Sequence, residues 1–370
     1  MKKLTLFSLT YECRGHAKEY ANNFIKYSAL NDYDITLLHP NNEPLSSDIG
    51  PLDLKPSQRF GAHRRILRRF FITLKYSLLN IKKFRLSNAV YFLDYEYFSL
   101  LLSLLITKGD KYVLIHSASI DKSGFYRLYK KIFFFFIKRV NVKCYFVTGQ
   151  SAKTQLLKFL PDARVEVVQF PSKLDLAPIP KLNAKEALFS RDKKVFSLIG
   201  MIRPDKNYEF AIKCFADSNA SNNNDNVLYI AGSPSGVSEE QLLGWLKKYK
   251  VENYKLDLRY LTEEDLNLAF SASDVLLVPY GDTGSSQSGP LSMCREYGLP
   301  AIVKGGSEIG NYVMANNVGV CCFDESTFID SINIMIDAVP ADIISSLAVA
   351  KKLYSWESAI KKYLEVFNGK

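Results

Sequence analysis

Short apolar runs alternate with longer polar or amphipathic segments along most of the chain. In the N-terminal half, the runs that we predict as strands are Leu4–Leu9, Ile35–Leu38, Ala89–Leu93, Tyr112–Ile115, Cys144–Val147 and Val165–Val168. Between the first two, Ala17–Leu30 has the spacing of a helix with one apolar face. Strands that alternate with helices build parallel sheets, because a parallel connection needs a crossover segment. The first half is therefore predicted to be an α/β domain.

A second series of the same kind begins near residue 195. Its predicted strands are Val195–Ile199, Val227–Ala231, Leu256–Tyr260, Val275–Val278 and Ala301–Val303. The segment 171–194, between the two series, is rich in proline and charge, which favours an interdomain linker. We therefore expect domains at residues 1–175 and 176–352, and a C-terminal segment at 353–370 that contains the amphipathic helix Trp356–Phe367.

Two loops of the second series carry candidate chemistry. The loop after Val275–Val278 ends in Ser288-Gly289-Pro290, which is typical of a helix start because serine caps and proline suits the first turn. The loop after Val195–Ile199 contains Arg203 and Lys206. Carboxyl ends of parallel strands share one sheet edge, where anions bind at helix N-termini. Either loop alone is also typical of a structural turn; together they favour a diphosphate clamp, with Lys206 as a solvent-facing cation.

Charge is unevenly distributed along the 370 residues, whose net charge is +10. Residues 1–175 hold 28 Lys and Arg against 14 Asp and Glu, whereas the rest of the chain is mildly acidic. Arg64, Arg65, Arg68 and Arg69 would share one helical face within 59–85. Such a face is typical of a solvated surface helix, of a helix that binds an anionic membrane surface, or of a helix that binds nucleic acid. We expect the membrane surface rather than nucleic acid, because no known nucleic-acid module is legible. Residues 130–139 are interpreted as a buried helix or a second interfacial patch.

The cysteines and the apolar runs bear on the location of the protein. The six cysteines show neither metal-ligand spacing nor a disulfide framework, so we expect reduced thiols in a cytosolic protein. The N-terminus becomes polar too early for a signal peptide. The longest apolar runs are too short to span a bilayer. We therefore expect a cytoplasmic protein that is peripheral to the inner face of the cell membrane.

The chain resembles the GT-B fold sugar-nucleotide glycosyltransferases, of the retaining family-four type used in bacterial polysaccharide assembly. The motifs that carry the resemblance are GMIRPDKN at 200–207, LYIAG at 228–232, YLTEEDL at 260–266, DVLLVPY at 274–280, SGPL at 288–291 and GLPAI at 298–302. The resemblance implies an α/β fold with two Rossmann-like, doubly wound domains facing a cleft. It also implies that the C-terminal helix crosses back to the first domain.

The resemblance also implies roles for individual residues. Arg203 and Lys206 would bind the donor diphosphate as catalytic cations, and the amides of Ser288, Gly289 and Leu291 would hold the same phosphates. Arg259 and Tyr260 would line the nucleobase pocket. The residues that would face the cleft from the first domain are His116 at the donor sugar, Gly15 near the phosphate, and Glu12 and His16 near the acceptor. No metal and no other cofactor is implied.

One departure from the family pattern concerns ribose binding. The family commonly has two glutamates eight positions apart, and the matching residues here are Ser285 and Met293. A thioether binds ribose hydroxyls poorly, so Glu296, one helical turn further on, is the candidate substitute. The resemblance implies transfer of a sugar from a nucleotide-diphosphate sugar to a lipid-linked or polysaccharide acceptor. One alternative is a non-catalytic GT-B partner subunit, against which the retention of both Arg203 and Lys206 argues. A remoter alternative is a sugar-nucleotide epimerase of the same fold, but the sequence shows no convincing pair of acid/base carboxylates for it.

Overall fold

The computed structural model divides into two compact units. It describes residues 2–8, 16–28, 33–38, 70–71, 74–94, 97–115, 124–171, 176–280 and 288–369. One unit comprises Met1–Gln169 with Ala359–Lys370, and the other comprises Phe170–Ser358. Both contain a six-stranded sheet in which the paired strands run parallel.

The sheet of the first unit has the strand order β2-β1-β3-β4-β5-β6. Its strands are β1 (Lys2–Ser8), β2 (Tyr33–Leu38), β3 (Ala89–Asp94), β4 (Asp110–Ile115), β5 (Cys144–Val147) and β6 (Val165–Val167). The helices of this part of the chain are His16–Ser28, Ile81–Leu86, Tyr97–Ile106, Gly124–Ile137 and Gln150–Leu157, with a further helical stretch at 74–79. From β1 the chain adds β2 on one side of the sheet, and from β3 it adds β4 to β6 on the other side. Because crossovers between parallel strands are right-handed, the connecting helices then lie on both faces of the sheet.

Alternating residues of the central strands supply two separate cores. Val90 and Phe92 of β3 belong to the cluster that includes residues of the helices between β3 and β5. The residue between them, Tyr91, faces the other way and lies 5.4 Å, ring to ring, from Tyr363 of the helix Trp356–Phe367. Tyr363 is fully buried. The last helix of the chain therefore completes the core on one face of the first sheet.

The sheet of the second unit has the order β12-β11-β10-β7-β8-β9. Its strands are β7 (Lys194–Ile199), β8 (Asn226–Ala231), β9 (Tyr254–Asp257), β10 (Val275–Val278), β11 (Ala301–Lys304) and β12 (Gly319–Cys322). Its helices are Lys181–Leu188, Tyr208–Asp217, Glu239–Lys248, Glu263–Ala272, Gly289–Tyr297, Glu308–Asn316, Glu325–Asp337 and Ala341–Leu353, with a short 3₁₀ helix at Pro204–Lys206. The doubly wound α/β class expected from the sequence is confirmed.

The segment 171–194 is not the linker that its prolines and charges predicted. It contains the helix Lys181–Leu188, which belongs to the second unit. Lys185 of this helix is buried, and its Nζ lies 2.7 Å from Asp274 Oδ2. The same carboxylate oxygen accepts a hydrogen bond from the Val195 amide at 2.9 Å. A charge that is paired internally looks like a surface charge in the sequence, which is why the linker interpretation was wrong.

The described cysteines are free and mostly buried. They are Cys144, Cys214, Cys294, Cys321 and Cys322, and Cys13 lies outside the described residues. Burial raises the pKa of the Cys144 and Cys214 thiols to about 12. Since the thiolate is the reactive species, these two side chains act as small apolar core residues.

Within the described part of the chain, we find no single helix that is both long and apolar enough to cross a bilayer. The consecutive helices Glu325–Asp337 and Ala341–Leu353 meet the length and composition requirement only as a pair, and they are bent by 92° relative to each other.

Candidate functional site at the carboxyl edge of the second sheet

The candidate site lies where the strand order of the second sheet reverses. From β7 the chain proceeds outward through β8 and β9, and from β10 it proceeds in the other direction through β11 and β12. Strands β7 and β10 are paired neighbours, with Phe196 beside Val275. In doubly wound sheets, ligands bind outside the carboxyl ends of the strands at this switch point. Lys206 follows β7 and Ser288 follows β10, so the structure brings together the two motifs singled out in the sequence.

The loop after β7 is fixed to the end of β8. The Gly200 amide donates to the Ala231 carbonyl at 2.8 Å, and the Ile202 amide donates to the Ser233 carbonyl at 2.9 Å. Gly200 has a φ of +114°, a conformation that favours glycine. The 3₁₀ helix Pro204–Lys206 follows, so Lys206 is held by a rigid turn rather than by a free loop.

Lys206 is a buried cation. Its side chain packs beside Gly200 and the helix start, since a Cβ at Gly200 would lie 3.1 Å from both Lys206 Nζ and Pro290 Cγ. The ammonium also lies over the ring of Tyr280, 5.2 Å from its centroid. Only 7% of Lys206 is exposed, so the expectation of a solvent-facing cation was wrong. Burial, aided by the charge of Arg203 and opposed by Asp205, lowers the pKa of Lys206 to about 8.

Arg203 supplies the second cation from the surface of the same turn. Its Nη2 lies 2.8 Å from Asp205 Oδ2, and both side chains are about half exposed. An exposed ion pair of this kind contributes little stability, about 0–1 kcal/mol. The guanidinium can therefore exchange the carboxylate for a phosphate at small energetic cost.

The start of the helix Gly289–Tyr297 forms the other side of the site. Ser288 caps it, because the Leu291 amide donates to Ser288 Oγ at 3.3 Å. The same oxygen lies 3.1 Å from the Tyr280 hydroxyl, whose pKa burial raises to about 12. The helix dipole places partial positive charge at this end. The Leu291 amide is thus engaged by the cap, whereas Ser288 and Gly289 lie at the helix start as expected.

Arg259 and Tyr260 lie at the same edge of the sheet, just after β9. Arg259 donates to both carboxylate oxygens of Asp265, at 2.6 and 2.8 Å, and also pairs with Asp257. The arginine holds the pKa of the Asp265 carboxyl well below its usual range. Asp265 in turn completes the capping box of Thr262 at the helix Glu263–Ala272. The Arg259 side chain therefore braces this loop, while Tyr260 is largely exposed. The predicted strand Leu256–Tyr260 was placed too late in the chain.

The structure does not bring Glu296 to the helix start. An α-helix rises 1.5 Å per residue, so Glu296 lies about 10 Å from Gly289 along the axis. Its carboxylate pairs with Lys351 of the helix Ala341–Leu353, with Glu296 Oε1 3.2 Å from Nζ. Met293 is buried in the hydrophobic core of the second unit. Glu296 is thus a packing residue at the C-terminal end of the helix, and the structure does not support it as the substitute carboxylate.

Several predicted site residues lie outside the described residues. They are Glu12, Gly15, Arg64, Arg65, Arg68, Arg69, His116 and Ser285. His16 begins the helix His16–Ser28, but its side chain is likewise not described. In the first sheet, β1 and β3 flank the switch point.

A second capped helix start, which the sequence analysis did not predict as part of the site, lies at the same edge of the sheet. Strand β11, the neighbour of β10, leads into Gly305-Gly306-Ser307. Ser307 caps the helix Glu308–Asn316 by accepting from the Gly310 amide at 3.3 Å. Gly306 has a φ of +79°. The sequence could have predicted this helix start, because an apolar strand followed by glycine and a capping serine is the same pattern as the one that ends at Ser288.

The two doubly wound units have the architecture of the GT-B fold, and cations and a capped helix lie at the switch point of the second. Residues 180–327 match the family model described as Glycosyl transferases group 1. A search of curated protein sequences finds no significant match. The second unit thus carries a group 1 glycosyltransferase domain, and the class expected from the sequence is confirmed.

Solved structures show the same fold over the whole chain. Sucrose-phosphate synthase from Thermosynechococcus elongatus superposes with a TM-score of 0.72 at 13% identity, covering 100% of this chain and 99% of that one. Anabaena Alr3699/HepE in complex with UDP and glucose gives 0.68 at 12% identity, covering 100% of both chains. WaaG, a glycosyltransferase involved in lipopolysaccharide biosynthesis, gives 0.64 at 12% identity, covering 99% of this chain and 100% of that one.

Proposed function

We propose that this glycosyltransferase uses a nucleotide-diphosphate sugar as donor and that the site at β7 and β10 binds the donor diphosphate. The observation that carries the proposal is the buried ammonium of Lys206 beside the capped start of the helix Gly289–Tyr297. A buried cation that forms no ion pair with the described residues is costly, and a bound diphosphate would supply the anionic partner. Arg203 would add a second, planar donor group from the surface.

The chemistry of transfer explains why cations are needed here. In the reaction, the bond between the anomeric carbon and the terminal phosphate oxygen breaks, and the acceptor hydroxyl forms the new glycosidic bond and loses its proton. Negative charge develops on the leaving nucleoside diphosphate. Lys206 and Arg203, fixed before the reaction by the rigid turn, would stabilise that charge without reorganisation. In this proposal they do the work without a metal, so chelation should leave activity unchanged.

The comparisons support particular candidates for donor and acceptor. HepE has been crystallised with UDP and with UDP-glucose, which makes UDP the first nucleotide to test. WaaG and the galactosyltransferase WaaB act in lipopolysaccharide assembly by their descriptions. These relatives, and the basic N-terminal half of the chain, support a lipid-linked or polysaccharide acceptor at the cytoplasmic face of the membrane. We propose retention of anomeric configuration on the family resemblance.

The roles that we propose for residues of the first domain rest on the same family resemblance. His116 would face the donor sugar, Gly15 would lie near the phosphate, and Glu12 and His16 would lie near the acceptor. The four arginines at 64, 65, 68 and 69 would contact anionic lipid. The amides of Ser288 and Gly289 would face the phosphates, and Tyr260 would contact the base.

Met293 favours a second candidate function. Because Met293 is buried in the core, the helix Gly289–Tyr297 offers no carboxylate at the position where the family commonly binds ribose. A scaffold that has lost donor binding would fit this single feature. Such a partner subunit would have no use for Lys206, whose burial costs stability.

Thermal shift against nucleotides separates the two candidates. The purified protein is heated with UDP, GDP, ADP or CMP and with their common sugar conjugates, since a ligand that binds only the folded state raises its apparent stability. We expect a clear upward shift with one base, in its diphosphate form, and a smaller shift after Lys206→Ala. The absence of any shift at millimolar nucleotide would contradict the donor site and favour the scaffold.

A further inference from the structure

Two neighbouring helices of the first unit expose apolar side chains on the side that faces away from the sheet. The helices are Tyr97–Ile106 and Gly124–Ile137, and they pack against each other through Tyr97 and Phe133, whose rings lie 4.7 Å apart. The exposed apolar residues are Leu102, Leu105, Leu128, Ile132, Phe135 and Phe136. We call these six, together with Lys131, Lys138 and Arg139, the apolar–basic face.

The helix Gly124–Ile137 contains four consecutive phenylalanines, of which two are buried in the core and two are exposed. Phe133 and Phe134 are buried at 0% and 3% exposure, whereas Phe135 and Phe136 are 48% and 47% exposed. The exposed residues of this helix recur at Leu128, at Ile132 four residues later and at Phe135, so they form a second stripe with helical spacing. The first stripe already fills the core. The second stripe is therefore not part of the core that the described residues of the first unit form.

Cations accompany the exposed rings. Arg139 Cζ lies 4.0 Å from the centroid of the Phe135 ring, and Lys138 Nζ lies 5.2 Å from it. Lys131, on the same helix, is also exposed. The sequences of segments 97–108 and 124–139 contain no aspartate or glutamate. The acidic residue Asp162, from another segment, lines the same cavity as Lys138 and Arg139, so the face combines apolar area with a net positive charge.

The helical segments that precede Tyr97–Ile106 in the chain also expose apolar residues and contain only basic charges. Leu78, Leu79 and Leu86 are exposed, and residues 74–87 contain lysine and arginine but no acidic residue. The helix Ile81–Leu86 packs beside Tyr97–Ile106, so this surface continues the apolar–basic face.

We propose that the apolar–basic face docks on a bilayer that contains anionic lipids. Phe135 and Phe136 would enter the interface between headgroups and acyl chains, where aromatic side chains are favoured. Lys138 and Arg139 would extend towards the lipid phosphates while their stems cover apolar surface. A surface that is apolar and carries net positive charge, with Asp162 as an acidic neighbour of Lys138 and Arg139, matches an anionic bilayer better than a typical protein partner. The inference deepens the proposed function, because it names the surface that holds the enzyme at its acceptor.

Vesicle binding with paired variants tests the aromatic part of the proposal. Cosedimentation is measured with vesicles of phosphatidylcholine and phosphatidylglycerol, with pure phosphatidylcholine as the comparison. We expect partitioning only onto the anionic vesicles, and at least a tenfold loss for Phe135→Gln/Phe136→Gln. The control Leu182→Gln/Leu243→Gln removes two exposed leucines of the second unit and should bind like the wild type.

Charge variants and salt test the basic part. Lys138→Gln/Arg139→Gln should weaken binding to anionic vesicles severalfold and reduce its salt dependence, whereas Lys247→Gln/Lys352→Gln, at exposed positions of the second unit, should not. Equal vesicle binding by the Phe135/Phe136 variant and the wild type would overturn the proposal. So would a wild type that stays in solution, or a change of oligomeric state in the variant without a change in vesicle binding.

Nucleotide thermal shifts on the same variants keep this inference separate from the proposed function. Every variant should retain the nucleotide shift of the wild type, because the substituted residues lie outside the donor site. Vesicle binding without any nucleotide shift would leave the docking surface standing and contradict only the proposed donor site.

Discussion

Lys206 shows how a single residue can reveal a site through its energetic cost. The residue is buried beside Gly200, Tyr280 and Pro290, and its pKa falls to about 8 from an ordinary value of 10.5. The sequence indicated the clamp but not the burial, since a lysine in a Pro-Asp-Lys turn looks like a surface residue. Burial depends on the loop lying against the start of the helix Gly289–Tyr297, which is a tertiary contact.

Replacing Lys206 by methionine should stabilise the fold. The folded protein binds this proton less tightly than the unfolded chain, so the charge destabilises the fold fully below pH 8 and not at all above pH 10.5. At pH 7 we expect the free energy of unfolding to rise by on the order of 1–3 kcal/mol. Urea unfolding at pH 7 and at pH 10.5 measures the effect. A gain of equal size at both pH values would show that the buried charge is not the cause.

Among the secondary-structure elements, the parallel strands and the turns that follow them could be predicted from the sequence. Helices whose charges are paired inside the unit could not. The strands on both sides of the candidate site were predicted because their apolar runs end in Gly or Pro. The helix Lys181–Leu188 was missed because Lys185 contributes a charge to a proline-rich stretch. Only the position of Asp274, almost ninety residues later, shows that this charge is neutralised inside the unit.

Asp274→Asn should destabilise the second unit through this helix. The substitution leaves Lys185 buried without its counter-charge, and removal of one partner from a buried ion pair costs about 3–5 kcal/mol. The exposed Lys181, which also pairs with Asp274, provides the control: Lys181→Gln should change stability by about 0–1 kcal/mol. Denaturant unfolding compares the two variants. Equal effects would show that the buried pair is not what fixes the helix.

For the chain as a whole, the two-unit α/β architecture could be predicted from the alternation of apolar runs with polar or amphipathic segments. The placement of the chain's end did not follow from its amphipathic pattern, because that pattern shows an apolar face without showing what the face covers. The resemblance implied a return to the first domain, and the structure supplies the contacts. Tyr363 lies 4.7 Å from Phe146, and Phe367 lies 4.3 Å from Tyr112, measured between ring centroids. The roles expected of the first-domain site residues stay predictions, since those side chains lie outside the described part of the chain.

Tyr363→Ala should destabilise the first unit. Truncation of a fully buried aromatic residue costs about 3–5 kcal/mol. Hydrogen exchange should accelerate in β3 and β5, whose Tyr91 and Phe146 contact this ring, and should stay unchanged in the strands of the second unit. Acceleration confined to the last helix would contradict its role in the first core.

Calorimetric titration of UDP, or of the nucleotide that gives the largest thermal shift, measures binding at the proposed donor site directly. Wild type, Lys206→Met and the exposed control Lys247→Met are compared between pH 7 and pH 9. We predict at least a hundredfold loss of affinity for Lys206→Met and no change for the control. Wild-type affinity should fall as the pH rises through 8, where the free ammonium loses its proton. Unchanged affinity in Lys206→Met would contradict the assignment of this edge of the sheet to the donor diphosphate.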